Sequence, residues 1–282
     1  MPRISNILLS IRRLIITSAI GLHRHILTHW MIQLMTQISS QSIESTPSNH
    51  LGLTLVPVEP LKRKQRQALI YLSRKFGTKN LGDYLEFGVY NGTSLSCLYQ
   101  VLQDLGLNQM RLFGFDSFEG LPEAATNDDE AGIWKPGDFK FNYELTWQIL
   151  SDRGVDWNRV FLIKGWFSDT LTTNLIQHYQ IEKASIIMVD CDLYASAKEV
   201  LSFCAPLIQE QTIIFFDDWR SSNLFPGKKT ERHAFDEFLA ENPEFTIEEF
   251  GSYSATSLSF IVSRQLFGSQ KSYAKSETFS LC

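Results

Sequence analysis

At 282 residues the chain exceeds the usual single domain and falls short of two full ones, which points to one large domain with extensions. Hydrophobic residues make up 44% and charged residues 20%, ordinary globular values that exclude disorder or fibrous repeat over most of the length. The net charge of -5 understates the acidity of the body, because residues 1–43 carry Arg3, Arg12, Arg13 and Arg24 and no acid; so acidic a body is a poor partner for nucleic acid, whose phosphates need clustered Lys and Arg.

Residues 1–50 read as a basic amphipathic extension and linker. Ile7, Leu8, Ile11, Leu14 and Ile15 fall at helical spacing. Three readings stand for this segment. It packs on the body or on a second subunit of a homo-oligomer, it touches a membrane surface peripherally through residues 1–38, or it is a transit peptide. Its apolar stretches are too short and too interrupted to cross a bilayer. Ser39 to Asn49, rich in Ser, Thr and Gln, is the linker. A basic helix follows from Leu61 to Phe76 and stops at Gly77. Cys97, Cys191, Cys204 and Cys282 show no CxxC spacing. They suggest neither a zinc site nor a disulfide framework, and a reducing, cytoplasmic compartment is the expectation.

Apolar runs then alternate with helical patterns. Tyr84 to Gly88 is a strand entering a glycine turn, and Thr93 to Leu105 a helix with Leu95, Leu98, Leu102 and Leu105 on one side. Further strands are expected at Arg111–Asp116, Val160–Lys164, Ser185–Asp190 and Thr212–Asp217, with a helix from Ala195 to Leu207 between the last two. Residues 245–262 hold two more strands. His233 and Arg232 open a helix ending near Leu239, and His233 is a lesser catalytic candidate. Near-continuous apolar strands are buried on both faces, so the fold class is α/β: a doubly wound, mostly parallel sheet covered by helices. It should span about residues 60–264, with the ends of the first and fourth strands side by side and residues 265–282 as a polar tail.

In such a sheet, ligands bind at the carboxyl ends of the strands. The first strand gives Glu86-Phe-Gly88-Val-Tyr-Asn-Gly92-Thr-Ser94. Gly88 allows a sharp turn and Gly92 a tight helix start, with Asn91 or Thr93 as cap. Glu86 stands where a dinucleotide fingerprint would begin with glycine, and a carboxylate there repels a pyrophosphate. Asp116, ending the second strand, can accept both hydroxyls of a ribose. Together these residues suit an adenosyl ligand without phosphates. Asp190, Asp192, Asp217 and Asp218 converge on one edge; a hard divalent cation, Mg²⁺ before zinc, relieves their repulsion. Asp190 and Asp192 share a face if the strand continues between them. Asp217 and Asp218 both reach one ion only where the chain turns. Glu123 to Tyr143 suits a mobile lid or, equally, an acidic surface loop.

The ordered stretches YLEFGVYNGTSL, FGFDSFEGLPE, IKGWFSDTL, MVDCDLYASA and IIFFDDW, within residues 80–262, resemble the macrocin-type (TylF/MycF-like) sugar O-methyltransferases, which use S-adenosylmethionine. The first 60 residues lie outside the resemblance. It implies a class I methyltransferase, Rossmann-like fold and methyl transfer to a hydroxyl of a sugar or glycosylated natural product. By the same resemblance Glu86, Gly88, Gly92 and Ser94 would serve the methionine end of the cofactor and Asp116 the ribose. Ser117 and Trp166 would border the adenine. Asp190, Asp217 and Asp218 would bind Mg²⁺, leaving Asp192 as general base. Two rival readings are a metal-dependent glycosyltransferase using Asp190-Cys191-Asp192 and a non-catalytic partner protein of the same fold.

Overall fold

The computed structural model of the chain describes residues 55–123, 134–221 and 227–265. The expected extension over residues 1–50, with its membrane-surface and oligomer readings, lies outside the described residues, as does the tail from 266. No helix among the described residues is long and apolar enough to cross a membrane.

The apolar runs become strands because each can bury both faces. β1 (Asp83–Phe87) and β4 (Ala184–Val189) are buried at every position. β2 (Leu112–Asp116), β3 (Val160–Lys164) and β5 (Gln211–Phe216) complete the parallel part. Alternation then divides the core in two. Leu85, Phe87, Ile187, Val189, Ile214 and Phe216 face one helix layer. Tyr84, Ile186, Met188, Ile213 and Phe215 face the other. β6 (Phe245–Gly251) and β7 (Leu258–Arg264) are antiparallel, as the two extra strands were expected to complete the sheet.

Among the described residues the sheet order is β3-β2-β1-β4-β5-β7-β6. The chain leaves β1 toward β2 and β3, then returns to lay β4 on the other flank of β1, with Phe87 opposite Val189. The ends of the first and fourth strands are therefore neighbours, as expected. Between them lies the topological switch point where open α/β sheets bind ligands.

Helices α1 (Val58–Phe76), α2 (Thr93–Asp104) and α3 (Tyr143–Asp152) cover one face. α1 turns Leu61, Gln65, Ala68, Leu69 and Leu72 inward at helical spacing, and each buried leucine contributes about 1.5–3 kcal/mol. The short α4 (Phe167–Thr170) and α5 (Thr173–Tyr179), with α6 (Tyr194–Cys204) and α7 (Glu231–Glu241), cover the other. Two boundaries differ from the sequence reading in a way that matters. β4 stops at Val189 and β5 at Phe216, so Asp190 and Asp217 sit one residue beyond their strands, in the turns.

Candidate active site at the strand ends

A cavity of about 870 Å³ opens over the carboxyl ends of β1, β2, β4 and β5. On the β1 and β2 side its wall includes Gly88, Tyr90, Asn91, Ser94, Asp116 and Ser117, with Trp166 from the turn after β3. On the β4 and β5 side it includes Asp190, Asp192, Asp217 and Asp218. The turn after β2 and residues 134–140 form a further wall. Leu121 N–H donates to the Asp138 carbonyl (2.8 Å) and Gly137 N–H to the Leu121 carbonyl (2.9 Å), while Trp134 and Phe139 pack on Leu121 and Leu193. Part of the expected lid is thus tied to the rim of the cavity; residues 124–133 lie outside the described residues.

Gly88 has φ +93°, and a Cβ there would lie 1.7 Å from the Asp190 carbonyl oxygen, so the turns after β1 and β4 meet backbone to backbone. Gly92 does not line the cavity. It holds φ +74° at the start of α2, where a Cβ would press on Leu150 of α3. Asn91 Oδ1 accepts the Thr93 N–H (3.2 Å) and hydroxyl (2.7 Å), but the N-cap of α2 is Gly92, so neither Asn91 nor Thr93 caps the helix as expected. The Asn91 Nδ2, buried on the cavity wall, has no acceptor among the described residues. A buried amide donor without a partner costs about 1–3 kcal/mol, so a ligand carboxylate fits here.

Two further expectations need correction. Glu86 does not reach the cavity: it is fully buried, with Oε1 accepting the Ser94 hydroxyl (2.6 Å) and Oε2 the Tyr84 hydroxyl. Burial drives its pKa up to about 7 against those two hydrogen bonds. Glu86 therefore supports the wall through Ser94. Asp116 is also partly committed. Oδ2 accepts Val89 N–H and Tyr90 N–H (both 2.8 Å), and Oδ1 accepts Phe118 N–H (2.6 Å). Of roughly four lone-pair directions on a carboxylate, backbone takes three, which leaves room for one ribose hydroxyl rather than two. Burial still raises its pKa above the usual carboxylate value.

On the acidic side, one carboxylate oxygen from each of Asp190, Asp217 and Asp218 lies within 4.8 Å of the others. The turn after β5 brings the adjacent pair Asp217 and Asp218 together, as their spacing required. Burial first, then the charges of Asp217, Asp192 and Asp218, push the Asp190 carboxyl well above its ordinary pKa. Burial raises Asp217 as well, opposed by a hydrogen bond that the Tyr253 hydroxyl donates to its Oδ1. Oxygen donors crowded so closely fit a hard divalent cation, whose charge removes the repulsion. Asp192 shares no strand with Asp190. It sits at φ +62° in a γ-turn closed by Leu193 N–H on the Cys191 carbonyl (2.6 Å).

Three participants had no clear signal in the sequence. Asn91 read only as a cap. Glu231, fully buried at the first position of α7, accepts the backbone N–H groups of Cys191 (3.2 Å) and Asp218 (3.3 Å), yet reads as an ordinary helix-start acid. Tyr253 lies in the polar β6–β7 turn, 36 residues from its partner. His233, a lesser catalytic candidate, closes a capping box with Thr230 and does not line the cavity.

A model of the family described as Macrocin-O-methyltransferase (TylF) matches residues 63–242. Over 143 residues, 49% of this chain and 53% of the relative, the chain is 28% identical to the 8-demethyl-8-(2,3-dimethoxy-alpha-L-rhamnosyl)-tetracenomycin-C 4'-O-methyltransferase of Streptomyces olivaceus. It is 26% identical over 147 residues, again 53% of the relative, to the demethyldecarbamoylnovobiocin O-methyltransferase of Streptomyces niveus. The alignments thus span about half the length of these two relatives. In three dimensions the chain is similar to the solved O-methyltransferase NovP, with a TM-score of 0.60 and 18% identity over 84% of this chain and 99% of that one. At that identity the likeness is one of fold.

Proposed function

This chain belongs to the macrocin-O-methyltransferase family, and we propose that it moves a methyl group from S-adenosyl-L-methionine to a hydroxyl of a sugar or glycosylated natural product, with Mg²⁺ as the metal. One observation carries the reading: a single cavity joins the Gly88 turn and Asp116 on one side to the Asp190, Asp217 and Asp218 cluster on the other. Family membership favours this over a glycosyltransferase.

S-adenosyl-L-methionine supplies a methyl group already activated by its sulfonium. What remains for the chain is to hold donor and acceptor in line and to take the acceptor proton. The free Asn91 amide suits the carboxylate of the amino-acid end, and the remaining lone pair of Asp116 one ribose hydroxyl. Ser117 and Trp166, both on the cavity wall, would border the adenine. Asp190, Asp217 and Asp218 would hold Mg²⁺, which supplies Lewis acidity toward a weakly acidic hydroxyl. Asp192 would take the proton of the acceptor hydroxyl as the methyl group passes to its oxygen, with S-adenosylhomocysteine as the other product. Three carboxylates already exceed the charge of one dication, so Asp192 is better used on the acceptor than on the metal.

A mass-shift screen tests the reading. The chain is incubated with S-adenosyl-L-methionine, Mg²⁺ and a library of hydroxylated glycosides, with and without chelator. The expected result is a product heavier by one methyl group that disappears on chelation. A chelator-resistant product removes the metal from the mechanism. Calorimetry showing affinity for nucleotide sugars and none for S-adenosyl-L-methionine removes the methyltransferase reading itself.

A further inference from the structure

Glu231 is an acid with no place in the chemistry above. It is fully buried, does not line the cavity, and stands at the first position of α7. Its Oε1 accepts the Cys191 N–H at 3.2 Å and its Oε2 the Asp218 N–H at 3.3 Å. Cys191 lies between Asp190 and Asp192, and Asp218 is itself in the acidic cluster. One carboxylate thus joins the turn after β4 to the turn after β5.

We infer that Glu231 is a positioning residue that sets the spacing between Asp190 and the Asp217–Asp218 pair, and through it the affinity for a divalent cation. The inference rests on the proposed metal reading of that cluster. The β4–β5 ladder ends at Val189 opposite Phe216, followed by one bond from Asp217 N–H to the Val189 carbonyl (3.1 Å). Beyond that point the Glu231 carboxylate links the two turns through α7, an element anchored in the core by Ala234, Phe235 and Phe238. A further buried carboxylate beside four others is electrostatically unfavourable. Two backbone donors and the amino end of α7 offset that, which explains why an acid occupies a position where an apolar residue would pack without repulsion. Neither close relative of glutamate can replace it. Glutamine matches its size but offers one acceptor and turns an N–H₂ toward the second amide. Aspartate keeps the charge but is one methylene too short to span both turns.

The test measures Mn²⁺ binding by calorimetry to the wild-type chain, Glu231→Gln and Glu231→Asp, with S-adenosylhomocysteine binding as the control for folding. Both variants are expected to lose about tenfold or more in Mn²⁺ affinity while S-adenosylhomocysteine affinity stays within about threefold. Full Mn²⁺ affinity in Glu231→Asp means that the charge alone suffices and overturns the bridge; full affinity in both variants does so too. A wild-type chain that binds no Mn²⁺ sinks the metal reading separately. In that case, or if the variants bind no S-adenosylhomocysteine, amide hydrogen exchange on the wild type decides. Strong protection at both Cys191 and Asp218 supports the bridge, and fast exchange at either amide overturns it.

Discussion

Asp192 is held at φ +62° inside a γ-turn, a conformation that costs a non-glycine residue of order 1–3 kcal/mol. Its neighbours over-determine it: Asp190 N–H is fixed on the Phe87 carbonyl (2.9 Å) and Cys191 N–H on Glu231. Glu86 carries a different kind of cost. Its pKa of about 7 in the fold, against 4.5 unperturbed, means that the folded state holds a proton which the unfolded state has already released. Stability therefore falls as pH rises from about 4.5 through about 7, by about 3 kcal/mol in all. Glu86→Gln removes that titration. Thermal melts at about pH 5 and about pH 8 should show the variant gaining on the wild type by about 1–3 kcal/mol at the higher pH; parallel pH profiles would show that Glu86 is charged in the fold throughout. The acids were legible as acids, since polar groups at the ends of apolar strands stand out. Where Glu86 points was harder to read, because β1 is buried on both faces. The available signal was Tyr84, two residues earlier and so on the same side of the strand.

The turns after β1 and β4 behave as one element, because Gly88 leaves no room for a side chain against the Asp190 carbonyl. Gly88→Ala must either move Asp190 or distort a backbone at φ +93°, which an L-residue rarely adopts. The variant is expected to lose at least about tenfold in affinity for both S-adenosylhomocysteine and Mn²⁺, each read by calorimetry, since a misplacement near 1 Å is enough to disorganise a site. Loss of one affinity with the other intact would mean that the two turns move independently. The parallel strands could be read from their apolar runs alone. The small helices could not. α4 is four residues long and shows no period, and α3 buries only Thr146, Ile149 and Leu150 in ten residues. Too few turns or too thin an apolar stripe leaves nothing for a periodicity argument to hold.

Across the whole molecule, the site is assembled from segments far apart in the chain. The switch point places β1 against β4, α7 sends Glu231 beneath the acidic turns, and the β6–β7 turn sends Tyr253 to Asp217. Contacts of this kind follow from tertiary packing and leave no local pattern, which is why the acids were legible and their supports were not. Asp190, Asp217 and Asp218 bring their oxygens within 4.8 Å of one another, and Asp192 sits at φ +62° in the γ-turn that follows Asp190. If the first three hold Mg²⁺ and Asp192 takes the acceptor proton, the two kinds of variant must differ. Asp217→Asn should weaken Mn²⁺ binding by about tenfold or more and lower turnover, with partial rescue at high Mg²⁺, because it removes one charge from a ligand. Asp192→Asn should cut turnover by about 10²–10⁴, the usual contribution of a positioned base, with Mn²⁺ and S-adenosylhomocysteine affinities unchanged and no rescue by Mg²⁺. Measuring turnover across a Mg²⁺ series for both variants separates the roles. Rescue of Asp192→Asn by excess Mg²⁺ would make Asp192 a metal ligand and leave the proton to another group.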